Sequence, residues 1–223
     1  MQIEERLNAL ASLGAGWVMW LLVALSVVAV AIVIERLAYF FRTRDDRTIR
    51  ERALPLIRKG KFDELRAIAD EGRGFPARVL SAGLTAPEEG PAAAEQRMEG
   101  AASTTAQYMS RNVAFLGTVG SNAPFIGLLG TVIGVINAFA ALEGAAGQVT
   151  DGLMAEVGEA LVATAVGILV ALPAVAFYNL FSRVVRARRN RAQALGNELV
   201  ASLYARQSAS PLSFAESAAV PAE

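Results

Sequence analysis

The chain has 223 residues, 54% of them hydrophobic, with 21 Lys and Arg balanced by 21 Asp and Glu for a formal charge of zero. An apolar share above the roughly 45–50% of soluble domains points to a membrane protein. There is no cysteine and no histidine, which excludes disulfides, thiolate nucleophiles and the commonest zinc ligands, so no metal, no cofactor and no enzymatic activity are expected.

In chain order, residues 1–16 begin "MQIEERLNALASLGAG", with Glu4 and Glu5 where a secretory leader carries positive charge; the segment reads as a retained, periplasmic N-terminal piece. Residues 17–34 are uncharged and framed by Trp17, Trp20, Tyr39 and Phe40, where aromatic belts belong; they form the first expected transmembrane helix. Residues 35–111 read as a cytoplasmic domain of short helices, with breaks at Pro55, Gly60, "GRGFP" and "PEEGP". After Pro91 only Gly100 interrupts the pattern before Pro124, so the second span, 112–142, is expected to continue a helix begun in the cytoplasm. A short periplasmic loop, 143–158, carries no Lys or Arg, and the third span covers 159–182. Residues 183–206 stay helix-compatible, and 207–223 read as a disordered tail.

Arg36, Arg42, Arg44, Arg47, Arg50 and Arg52 follow the first span, and Arg183, Arg186, Arg188, Arg189 and Arg191 follow the third. The positive-inside rule then puts the N-terminus outside and the C-terminus in the cytoplasm. Because the second arginine group abuts a span and lacks interleaved aromatics, it reads as membrane-flanking charge rather than a nucleic-acid surface. The fold class expected is all-α: an integral membrane protein with three transmembrane helices and long cytoplasmic helix extensions.

Apolar burial does not drive helices together in lipid, so close packing of small residues must do so. Gly117, Gly120, Pro124, Gly127, Thr131, Gly134, Ala138 and Ala141 recur in steps of three and four, and Gly130 to Gly134 adds a GxxxG step. Ala160, Thr164, Gly167, Ala171, Ala174 and Tyr178 repeat the alternation on the third span. These two faces pack either on each other or on copies and partners; Gly120, Gly127, Gly130, Gly134, Gly167 and Ala171 are expected in helix packing or a pore wall. Pro124 and Pro173 belong with them, each kinking its helix and freeing a carbonyl. Thr131 and Thr164 either return their hydroxyls to the backbone one turn back or serve a function. Glu159, at the outer edge of the third span, is either an interfacial carboxylate or a functional group near membrane depth.

The run "APFIGLLGTVIGVINAF", followed by "GEALVATAVGILVALPAVAFYNLFSR", resembles the ExbB/TolQ/MotA proton-channel family, and its three-span pattern resembles the ExbB and TolQ branch. The "ERL" after the first span and the "PARVLSAGL" segment agree. The resemblance implies a subunit of the bacterial inner membrane that forms a homopentameric ring around a dimer of an ExbD/TolR-like single-span protein, whose transmembrane Asp carries protons. It further implies work delivered to a TonB- or TolA-like effector, and it places the family's two pore threonines on Thr131 and Thr164 and its motif glutamate on Glu159. Gly158 departs from the residue common before that glutamate. The competing reading is a non-conducting scaffold that organises single-span partners. A solute transporter lacks support from inverted repeats, and the glycine-rich run has no "GK[ST]" of a phosphate loop.

Overall fold

The computed structural model describes residues 16–43, 46–85, 89–144 and 151–217. Among these, seven helices occur: α1 (Gly16–Arg42), α2 (Asp46–Lys59), α3 (Phe62–Glu71), α4 (Phe75–Gly83), α5 (Pro91–Ser110), α6 (Val113–Gly144) and α7 (Asp151–Ser217). The all-helical class stands. Three helices are long and apolar enough to cross a membrane, through Gly16–Arg42, Val113–Leu142 and Met154–Ser208. Expectations for residues 1–15, for the middle of the loop at 145–150 and for 218–223 lie outside the described residues.

The chain divides into two units, one from 16–37 and 112–181 and the other from 38–111 and 182–217. In the first, α1, α6 and α7 share a core of Val18, Leu22, Val119, Ala123, Ile133, Val170, Ala171 and Ala174. Their outward faces are exposed and apolar, including Trp20, Val27 and Ile34 on α1, Phe125, Val132 and Phe139 on α6, and Leu161, Leu169 and Leu172 on α7. Such a surface suits lipid, since hydrocarbon is as apolar as the side chains it meets. The protein is a membrane protein on these grounds.

In the second unit α2 to α5 pack on one another. Ile49, Ala53 and Ile57 recur every fourth residue on the buried face of α2, and Val185, Arg188, Ala192, Leu195 and Leu199 mark a buried stripe on α7. The stripe's three- and four-residue steps are those of a helix that packs along its length. Arg188, a member of the stripe and only 8% exposed, donates to the Phe40 carbonyl at 3.0 Å, the Thr43 carbonyl at 3.1 Å and Thr43 Oγ1 at 2.7 Å. It bonds backbone oxygens around the end of α1, where helical donors run out, and its guanidinium lies 5.3 Å from the Phe40 ring centre. At the far end of the unit, Ser202 donates to the Ile57 carbonyl, and Arg206 lies over Phe62 beside Gly60, whose φ of 68° favours glycine and whose missing side chain leaves room for the guanidinium.

Four boundaries differ from expectation. Pro55 lies inside α2 instead of breaking it, because the missing N–H costs one hydrogen bond while Ile49, Ala53 and Ile57 bury the helix's apolar face. The helix from Pro91 does not run into the second span: α5 ends at Ser110, Arg111 is extended at ψ 137°, and Asn112 takes φ 62°. Asn tolerates this left-handed turn because its short side chain adds little clash there. The third-span helix begins at Asp151, inside the expected loop, so Glu159 stands about two turns into α7 rather than at its start. At the other end α7 continues to Ser217, into the expected disordered tail; the Ala- and Ser-containing sequence there costs little helix propensity, and Pro211 removes only a single donor.

Candidate functional site

The two small-residue faces meet each other within one chain. A Cβ placed on Gly127 would stand 2.7 Å from the Ala163 carbonyl oxygen and 3.0 Å from Thr164 Cα, and one on Gly167 would stand 2.6 Å from the Ala123 carbonyl oxygen. Backbone faces backbone at these two points, which only glycine permits. Gly134 lies against Ala160, Gly120 against Val175, and Gly117 beneath the Tyr178 ring, so the contacts run antiparallel along both helices. Gly120, Gly127, Gly130 and Gly134 are buried in this pairing, as are Gly167 and Ala171 on α7. The glycine stripe of α6 is thereby occupied by α7 of the same chain.

Helical geometry then sorts the remaining groups. Val18 of α1 lies against Gly130, and the shared core places α1 on the side of Ala123, Ile133 and Val170. At about 100° per residue, Gly127 and Gly167 centre the facing stripes; Ala123, Gly130, Ala163 and Val170 fall to one side, and Pro124, Thr131, Thr164 and Ala171 to the other. Thr131 and Thr164 therefore line the groove of the α6/α7 pair that α1 leaves open. They lie within about one helical turn of each other along the pair, because Thr164 faces Gly127 and Thr131 is the next turn on from Gly127.

The two hydroxyls differ. Thr131 Oγ1 donates to the Leu128 carbonyl at 2.7 Å, the local back-bond open to any helical threonine. Thr164 Oγ1 is buried and has no hydrogen-bond partner among the described residues. Leaving a buried hydroxyl unpaired costs about 1–3 kcal/mol, and valine would fill the same space without that cost.

Glu159 is exposed and lies on the other side of the pair. Its Oε1 is 3.8 Å from the place a Cβ on Gly16 would take, so it faces α1 rather than the threonine groove. The structure brings together Thr131 and Thr164 but does not bring Glu159 to them within one chain. Pro173 sits beside a groove of about 180 Å³ between α1 and α7, lined by Ser26, Ala29, Val33, Val170 and Phe177. Its missing N–H leaves the Leu169 carbonyl without the usual donor, as Pro124 does for Gly120.

In the second unit Glu99 accepts hydrogen bonds from Gln193 at 3.0 Å and Arg189 at 2.7 Å. These bonds, that from Gln193 first, hold its carboxyl below the ordinary range. Sequence reading assigned Arg188 and Arg189 to membrane-flanking charge; their partners Phe40, Thr43 and Glu99 are distant in sequence, and no local pattern announces them.

Comparison with known proteins shows the family. Residues 72–194 match the MotA/TolQ/ExbB proton channel family. The biopolymer transport protein ExbB of Salmonella typhimurium is 33% identical over 180 residues, covering 74% of this chain and 71% of that protein. The Tol-Pal system protein TolQ of Haemophilus influenzae is 44% identical over 81 residues, 36% of each chain, and ExbB of Pseudomonas putida is 42% identical over 91 residues, 40% of this chain and 27% of that one. The chain belongs to the MotA/TolQ/ExbB proton channel family.

Proposed function

We propose that this chain is a proton-channel subunit of the bacterial inner membrane, not an enzyme, that works as a homopentamer with an ExbD/TolR-like single-span partner. The assembly converts proton motive force into mechanical work on a TonB- or TolA-like protein, for outer-membrane transport or envelope maintenance. The N-terminus faces the periplasm and the C-terminus the cytoplasm, as the arginines after α1 and within α7 favour.

The observation that carries this reading is the Thr164 hydroxyl, buried within a helix long and apolar enough to cross a membrane and unpartnered among the described residues. A hydroxyl kept at such cost has its partner elsewhere, in water or in a carboxylate of another chain. This chain has no Asp, Glu, Lys or Arg between Ala160 and Ser182, or between Asn112 and Leu142. It cannot relay protons through membrane depth alone, so the reading requires the partner's aspartate. The energy suffices, since each charge yields about 2.3 kcal/mol per 100 mV crossed. Thr131, across from Thr164, positions water or that carboxylate, and Glu159 acts from the α1 side at the outer end.

The test is voltage-driven proton flux into vesicles containing the full-length chain purified with its accompanying membrane proteins. Thr131→Val and Glu159→Ala lower the flux while assembly persists. A wild-type preparation that passes no protons favours the scaffold reading and ends this one, while full flux in Thr131→Val, Glu159→Ala and Thr164→Val alike removes these residues from the path.

A further inference from the structure

Below Thr164 the open groove of the α6/α7 pair contains one more polar group on α7. Tyr178 is two heptads on from Thr164, on the same side of the helix, and is 37% exposed. Its ring lies on Gly117 of α6: a Cβ there would be 3.1 Å from Cε2, 3.2 Å from Cδ2 and 3.5 Å from Cζ. The glycine gives the ring its seat, and the hydroxyl makes no hydrogen bond to any described residue. By contrast, the neighbouring polar groups of α6 are engaged with their own helix. Thr118 donates to the Ala114 carbonyl at 3.3 Å, Ser121 to the Thr118 carbonyl at 3.2 Å, and Asn122 to the Thr118 carbonyl at 2.8 Å and Ser121 Oγ at 3.1 Å.

We propose that Tyr178, seated on Gly117, is a further positioning residue of the proton path, holding water in the groove between Thr164 and the arginine-flanked end of the span. The inference rests on the proton-channel reading above. About 21 Å of helix separates Thr164 from Tyr178, so the phenol does not bond the threonine directly; it orders a water file between them. A phenol both donates and accepts. As a proton passes, its oxygen takes one from the water on one side and releases its own to the water on the other, and the side chain stays neutral. A tyrosine at a membrane boundary also anchors the interface through its ring, and that role survives loss of the hydroxyl.

Tyr178→Phe removes the oxygen while the ring keeps its seat. Proton flux is measured in the same vesicles for Tyr178→Phe, Gly117→Ala and Thr164→Val, with assembly size as the control. The expected result is a several-fold loss in Tyr178→Phe with assembly intact, and a smaller loss in Gly117→Ala, whose methyl displaces the ring by a few tenths of an ångström. A Tyr178→His variant, which restores a proton-exchanging ring, recovers part of the flux. Wild-type flux in Tyr178→Phe alongside loss in Thr164→Val overturns the Tyr178 assignment alone. Wild-type flux in both removes Thr164 and Tyr178 from the path and overturns this inference, and vesicles of the unsubstituted protein that pass no protons overturn the proton-channel reading itself.

Discussion

The two units of this protein hold helices together by opposite means. In the membrane-crossing unit the α6/α7 pair closes on glycine, with backbone against backbone at Gly127 and Gly167. In the other, long side chains bridge elements: Arg188 reaches the carbonyls of Phe40 and Thr43, and Arg189 and Gln193 hold Glu99. The solvent explains the difference. Where lipid surrounds the helices, burying apolar groups gains nothing over leaving them exposed, so dispersion at short range decides. In the second unit apolar burial supplies the core, and arginine can extend from it to satisfy backbone oxygens while burying its stem.

The largest effect is expected where the backbone approach is closest. Gly167→Leu puts a side chain where even a Cβ stands 2.6 Å from the Ala123 carbonyl oxygen. Overpacking of this kind costs about 1–3 kcal/mol and occasionally more, and the variant should lose its monodisperse peak on size-exclusion chromatography in detergent. A monodisperse, heat-stable Gly167→Leu protein would mean that the helix pair is not held by close approach. Next comes Arg188→Ala, which strips the bonds to Phe40 and Thr43 and is expected to cost about 2–3 kcal/mol. A thermal melt should show the loss, with Arg188→Lys recovering little of it because one ammonium cannot span all three acceptors.

Smallest is Glu99→Gln. The pair with Arg189 is solvent-exposed, with side chains 41% and 53% accessible, so the change is worth under about 1 kcal/mol. Its pH dependence has a fixed sign. The folded carboxyl is held below its ordinary value, so its contribution is fully present above the unfolded value and is lost as pH falls through the folded one. Wild type and variant should differ at neutral pH and converge in acid; a gap that widens in acid would refute the assignment.

The sequence made the three spans legible because uncharged length is a direct physical requirement of the bilayer. It also displayed the alternating small residues, yet left open what they met; that depended on α6 and α7 folding back on each other. The break at Arg111–Asn112 was hidden because neither residue is a strong helix breaker, and only the positive φ of Asn112 reveals it. Thr131 and Thr164 were legible as polar points on small faces, but their contrast was not, since one hydroxyl bonds locally and the other bonds no described residue. Glu159 bordered the right residues in sequence and faces α1 in space, a matter of about 100° of helix rotation. Arg188 looked like its arginine neighbours, for its targets lie far away in the chain.

Thr164→Val, assayed for thermal stability and proton flux on one preparation, tests the central claim most directly. Valine keeps the volume and removes a buried hydroxyl that has no partner among the described residues, so the protein should melt at the same temperature or be up to about 1 kcal/mol more stable. Flux should nevertheless collapse. A protein that is stabilised and still conducts at the wild-type rate would contradict the account, because the Thr164 hydroxyl would then serve neither the fold nor the proton.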